Sequence, residues 1–86
     1  MAPNEILAEL RRRPFEAFRL HLSDGSSYDV RSPELCMLGI SSVIIGLTKS
    51  AGEELFERTV KLDAFHITRR EPLPALSPKG NGQAGG

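Results

Sequence analysis

Apolar and polar residues alternate in two short runs, residues 18–22 and 28–31, with an Asp-Gly pair between them. A period of two residues is typical of β-strands that bury one face. Asp24-Gly25 supplies the positive φ angle that a tight turn requires. The pattern therefore predicts a β-hairpin with one apolar face. The residues of that face are Phe18, Leu20, Leu22, Tyr28 and Val30.

A short helix is predicted before the hairpin, over residues 5–13. Asn4 is placed to cap its first turn, because an Asn side chain accepts hydrogen bonds from the free N–H groups there. Pro14 ends it. An apolar stripe on the helix indicates that it packs on a core. The stripe consists of Ile6, Leu7 and Leu10.

Several short strands are predicted after the hairpin. Pro33 breaks the second hairpin strand because it has no N–H donor, and residues 35–38 are either a strand or a buried connector. Further strands are expected at 43–47, 55–62 and 66–70, with a loop at 49–53 and a one-turn connector at 63–65. Their inward-facing residues include Phe56, Val60, Leu62 and Ile67.

These elements predict a mainly β protein of the α+β class. An N-terminal helix would precede a small antiparallel sheet of five to six strands, strongly bent or closed into a partly open barrel. A single domain is expected over residues 1–72. Residues 73–86 are rich in Gly and Pro and are predicted to be a disordered tail.

Charge and cysteine content narrow the expected environment. The 86 residues include 11 basic and 11 acidic ones, so the formal net charge is zero and no overall field attracts nucleic acid or anionic lipid. The single cysteine, Cys36, lies among apolar neighbours, which predicts a buried thiol in a reducing cytoplasm. We identify no signal peptide, and the longest apolar stretch, 43–47, is too short to span a bilayer. No membrane association is expected.

Residue types used in catalysis are present without a recognisable signature. Cys36, His66 and Asp63 would have to converge to form a nucleophilic set, and a lone cysteine in an apolar run is more often part of a core. His21 and His66 are far apart in the chain and lack a close third metal ligand. The glycines are isolated and form no phosphate loop. We therefore predict no catalytic residue, no metal, no cofactor and no enzymatic activity.

The basic residues are the remaining candidates for ligand binding. They end the helix, project from the outer face of the hairpin and close the last strand, and their convergence would create a patch for phosphate contacts. The predicted nucleic-acid-binding residues are Arg11, Arg12, Arg13, Arg19, His21, Arg31, Arg69 and Arg70. Carboxylates are interleaved with them, and the aromatic residues fit core positions better than base-stacking ones. These aromatic residues are Phe15, Phe18, Tyr28, Phe56 and Phe65.

Residues 20–25 and 61–68 resemble the opening strand with its turn, and the closing segment, of the Sm-like family. In that family a helix precedes a strongly bent, five-stranded antiparallel barrel, and the same short motifs fit other small barrels, including SH3-like ones. The likeness covers residues 5–71 and implies this fold, ring or dimer assembly, and RNA binding. Bacterial Sm-like RNA chaperones place Lys-His where this chain has Leu62-Asp63, and residues 32–38 lack the Asp and Asn of the eukaryotic and archaeal branch. The resemblance therefore supports the fold and weakens the case for RNA binding.

A second resemblance is to a family of short bacterial proteins without an assigned activity. It is carried by Pro14-Phe15, Phe18, residues 22–25, Pro33-Glu34 and residues 66–68, and it implies a fold only. We therefore expect a non-catalytic protein-interaction or assembly module, because a small core leaves a sheet edge open to a protein partner or a second copy. The alternative is an Sm-like RNA-binding protein with weak, salt-dependent binding.

Overall fold

The computed structural model describes residues 1–50 and 52–74. This part of the chain forms one helix and six strands, an α+β arrangement that is mostly β. Single 3-10 turns at Pro33–Leu35 and Ala64–His66 connect some of the strands. The helix and strands are α1 (Pro3–Leu10), β1 (Phe18–Leu22), β2 (Ser27–Val30), β3 (Cys36–Leu38), β4 (Ser42–Leu47), β5 (Arg58–Asp63) and β6 (Ile67–Pro72).

The strands form two antiparallel, three-stranded sheets that do not close into a barrel. The first sheet has the order β2-β1-β6 and the second β3-β4-β5. In the hairpin, Phe18 lies opposite Val30 and Leu20 opposite Tyr28. The chain passes from the first sheet to the second through the 3-10 turn that begins at Pro33. Pro33 thus breaks the strand as predicted, and residues 35–38 serve as both connector and strand.

Both sheets and the helix contribute to one core. The predicted face of the hairpin is confirmed at Phe18, Leu20 and Val30, while Leu22 and Tyr28 are half-buried. The predicted inward position of Ile67 and the burial of Cys36 are also confirmed. The largest fully buried side chains are Phe18, Ile6, Leu20, Ile45, Ile67, Val30 and Val43.

The helix lies earlier in the chain than predicted. It begins at Pro3 with Ala2 as its N-cap, so Asn4 is inside the first turn and does not cap it. Proline suits the first helical position because its φ is already helical and its missing N–H would have no partner there. The helix ends at Leu10, so the three arginines follow it instead of occupying its last turn.

The fifth strand starts later than predicted, which changes the place of two aromatic side chains. Regular pairing with β4 begins only where Arg58 lies opposite Leu47, and before it a single hydrogen bond joins the N–H of Glu57 to the carbonyl of Leu47 at 2.7 Å. Phe56 is consequently 57% exposed rather than inward. Phe65 is 87% exposed on the second 3-10 turn. The prediction that both rings belong to the core is wrong.

The last strand also differs in its bounds, since β6 extends to Pro72 instead of ending at residue 70. The N–H group of Leu73 donates to the carbonyl of Ala17 at 3.0 Å, which fixes the chain just beyond the strand. The rest of the predicted tail, residues 75–86, lies outside the described residues.

Candidate functional site

The basic residues on the outer face of the first sheet are engaged by carboxylates. Arg19 donates to Asp29 from Nε at 2.6 Å and from Nη2 at 3.2 Å, and Arg31 Nη2 lies 3.1 Å from the same carboxylate. His21 Nε2 lies 2.8 Å from Oε1 of Glu71. The predicted phosphate-binding groups of the hairpin therefore already have anionic partners.

The arginines near the helix are also largely occupied. Glu9 contacts Arg12 at 3.3 Å and Arg70 at 3.6 Å, so Arg70 links β6 to the helix. Arg13 donates to the carbonyls of Leu10 and Arg12. Of the eight predicted residues, Arg11, Arg13 and Arg69 form no ion pair with any described residue. The set is spread over several elements and does not converge on a single unpaired patch.

The ion pairs shift the pKa of their carboxylates. The hydrogen bond from Arg19 is the largest cause that lowers the pKa of Asp29, and the bond with His21 lowers that of Glu71. The Asp29 contact in turn raises the pKa of Arg19. These shifts favour the charged forms, so cations and anions balance locally on this face.

The candidate catalytic residues Cys36, His66 and Asp63 form no side-chain hydrogen bond or ion pair with one another. Burial raises the pKa of the Cys36 thiol to about 11, which opposes formation of a thiolate near neutral pH. His66 Nδ1 lies 3.4 Å from Ser23 Oγ, and the Asp63 carboxylate accepts a hydrogen bond from the backbone of Phe65. Within residues 1–50 and 52–74, no three His, Cys, Asp or Glu side chains lie close enough together to hold a metal ion.

The edge of β5 that faces away from β4 presents backbone groups that no described strand pairs with. The N–H of Ala64 donates to the carbonyl of Ser41, and hydrogen-bonded pairs alternate with non-bonded ones along an antiparallel ladder. Given the register of β4 and β5, the backbone groups of Thr59, Lys61 and Asp63 point away from β4. They have no hydrogen-bond partner among the described residues. This edge is therefore available to another strand.

The edge of β2 is open for the same reason. The N–H of Leu22 donates to the carbonyl of Ser26, and this bond determines which cross-strand pairs of the hairpin are hydrogen-bonded. With His21 opposite Ser27, the backbone groups of Ser27 and Asp29 point away from β1. In the part of the chain that the structure describes, these groups also make no hydrogen bond.

The other two edges are less suited to pairing. Strand β3 has only three residues and lies beside the helix. On β6, Leu73 is hydrogen-bonded to Ala17, and hydrogen-bonded residues alternate with non-bonded ones along the strand. The backbone groups of Arg70 and Pro72 therefore point away from β1. Pro72 has no N–H to donate, so the end of this edge cannot complete a ladder. The sequence predicted that a sheet edge is exposed, but it did not indicate which strand forms that edge.

Comparison with known proteins gives no further indication of function. No family model, curated protein or solved structure matches the chain. No helix within the described residues has the length and apolar character needed to cross a membrane.

Proposed function

We propose that this protein is a non-catalytic assembly module, in which a second copy adds its β5 strand to the edge of β5. The observation that carries the proposal is the row of backbone groups at Thr59, Lys61 and Asp63, which have no hydrogen-bond partner in residues 1–50 and 52–74. Strand addition would satisfy these groups with main-chain hydrogen bonds.

Side chains beside this edge add support. Leu55 is 81% exposed and Phe56 57% exposed just before the strand, so a neighbouring chain could cover apolar surface there. Two copies related by a twofold axis can place Thr59 of each opposite Asp63 of the other, so that the outward backbone groups of both strands pair along the whole edge. The two Lys61 residues then face each other at the axis, where their like charges weaken the pair.

RNA binding has weaker support as the alternative function. Carboxylates already hold most of the predicted cations, so a phosphate backbone would have to compete with Asp29, Glu71 and Glu9. RNA binding through the remaining cations would be weak and salt-dependent. We also propose a cytoplasmic location, since the single cysteine is a buried, free thiol.

Proline at Thr59 tests the assembly. The Thr59 N–H points outward, so Thr59→Pro removes an edge donor without removing a ladder bond to β4. Thr59→Ala keeps the donor and is the matched control. Native mass measured over a concentration series should rise toward two copies for wild type and Thr59→Ala, and stay at one copy for Thr59→Pro.

Other results would contradict the proposal. A wild-type protein that remains a single copy at every concentration excludes this assembly, and identical behaviour of the two variants excludes β5 as the contact. The same measurement with a uridine-rich oligonucleotide tests the alternative. A complex that persists at physiological salt and discriminates against other sequences would favour RNA binding.

A further inference from the structure

A cleft of about 400 Å³ opens between β2 and the end of β4. One wall is β2 with the residues that flank it, and the other is formed by residues 46–50. Its volume falls within the range of typical ligand sites. Tyr28, Leu35 and Leu47 contribute apolar surface to the lining.

The first wall of the cleft is a strand edge that pairs with no other described strand. The outward backbone groups of Ser27 and Asp29 lie on the side of β2 opposite β1, where residues 27–29 line the cleft. Such groups favour an extended peptide, because a peptide backbone supplies donors and acceptors at the spacing of a strand.

The charges around the cleft determine which peptide fits. Arg19, Arg31 and Lys49 line it with a single carboxylate, that of Asp29, so the site carries excess positive charge in a chain whose net charge is zero. Arg19 directs two nitrogens to Asp29, whereas Arg31 directs only Nη2 to it. The remaining donors of Arg31 and the exposed Lys49 can therefore receive another carboxylate.

We propose that this cleft binds an extended acidic segment of another protein. The backbone of the segment pairs with β2 at Ser27 and Asp29, and an acidic side chain contacts Arg31 and Lys49. The site goes beyond the assembly proposed above, because the segment pairs with the edge of β2 and not with the edge of β5.

Fluorescence anisotropy with a labelled peptide of alternating valine and glutamate tests the proposal. We expect Arg31→Gln and Lys49→Gln each to raise Kd about threefold, since each removes one solvent-accessible charge contact. Arg11→Gln is the matched control, because Arg11 is exposed and lies outside the cleft. A peptide with lysine in place of glutamate should not bind.

A second pair of variants tests the backbone contact. The Ser27 N–H points outward, so Ser27→Pro should weaken binding about tenfold by removing a donor, whereas Ser27→Ala should bind like wild type. Amide resonances of the wild-type protein report the site independently of any variant. Those of Ser27, Asp29 and Lys49 should shift on titration with the acidic peptide.

Several results would overturn the proposal: no binding of the acidic peptide, equal binding of the lysine peptide, or resonance shifts confined to the helix. Tighter binding of an oligonucleotide, weakened by the same glutamine variants, would assign the cleft to nucleic acid instead. The Thr59→Pro variant separates this site from assembly, because it should bind the peptide like wild type.

Discussion

Arg19 and Asp29 face each other across the β1–β2 pair and form an ion pair with two contacts, the shorter of 2.6 Å. Their side chains are 37% and 26% exposed, so water only partly screens the pair. The pairing places a carboxylate among cations that would otherwise form the strongest phosphate-binding group on the hairpin. It also ties the second hairpin strand to the centre of its sheet.

Replacing Asp29 should make stability less sensitive to acid. The pKa of Asp29 is lowered in the folded protein, so its contribution is complete above its ordinary value of 3.8 and is lost as the pH falls through the folded value. At pH 7, Asp29→Asn should cost about 1 kcal/mol. The Tm difference from wild type should shrink below about pH 4.

Glu16→Gln provides the control for this prediction, because Glu16 is 58% exposed and lies 3.9 Å from its arginine partner. Glu16→Gln should leave Tm nearly unchanged at pH 7 and at about pH 3. A constant Tm difference for Asp29→Asn from pH 7 to pH 3 would mean that the effect does not come from the ion pair.

A side chain at Gly25 should strain the hairpin turn. Gly25 has a φ of 91°, and an added Cβ would have no atom within 4 Å, so the cost is conformational rather than a clash. Gly25→Val should destabilise the protein by about 1–2 kcal/mol in chemical denaturation. Gly25→Asn should cost less, because Asn tolerates positive φ. Equal stability of Gly25→Val and wild type would contradict this account of the turn.

Gly46 should be sensitive to a methyl group for a different reason. A Cβ there would lie 3.0 Å from Cβ of Phe56 and 3.2 Å from Cδ2 of Leu35. Gly46→Ala should therefore cost about 1–3 kcal/mol through overpacking. Phe56→Gly removes the closest contact, so a double-mutant cycle of urea denaturation should give a smaller cost for Gly46→Ala in that background. Additive effects would show that Phe56 does not restrict the site.

The Cys36 thiol should react slowly while the protein is folded. It is 7% exposed, and burial raises its pKa to about 11. At pH 8 we expect a chromogenic disulfide reagent to modify it at least about a hundredfold more slowly than in denaturant, because the thiolate is the reactive form. Comparable rates in the two states would show that the thiol is accessible and ionised.

The local sequence pattern was enough to predict the hairpin, and it also contained the signal for one of the hairpin's ion pairs. The period-two pattern and the Asp-Gly turn place Phe18 and Val30 inward, and the same turn sets Arg19 opposite Asp29. The signal for that ion pair was therefore present in the hairpin register, whereas the predicted basic patch counted the cations without their cross-strand partners. The contact of His21 with Glu71 depends on the register of β1 with β6, which the turn does not determine.

The exposed aromatic residues show why other parts of the fold could not be predicted from the sequence. Periodicity fixes which residues of a strand share a face, but it does not fix where the strand begins. Phe56 is exposed because β4 ends opposite Arg58, a pairing between segments separated by a loop. The β2 cleft likewise depends on how two sheets meet, which is a long-range property of the chain.

Pro72 also limits how many copies can join. Because Pro72 has no N–H to donate, the β6 edge is a poor site for adding a further chain. Pairing two β5 edges about a twofold axis uses both edges at once. In the proposed assembly, growth through the β5 edge therefore stops at two copies.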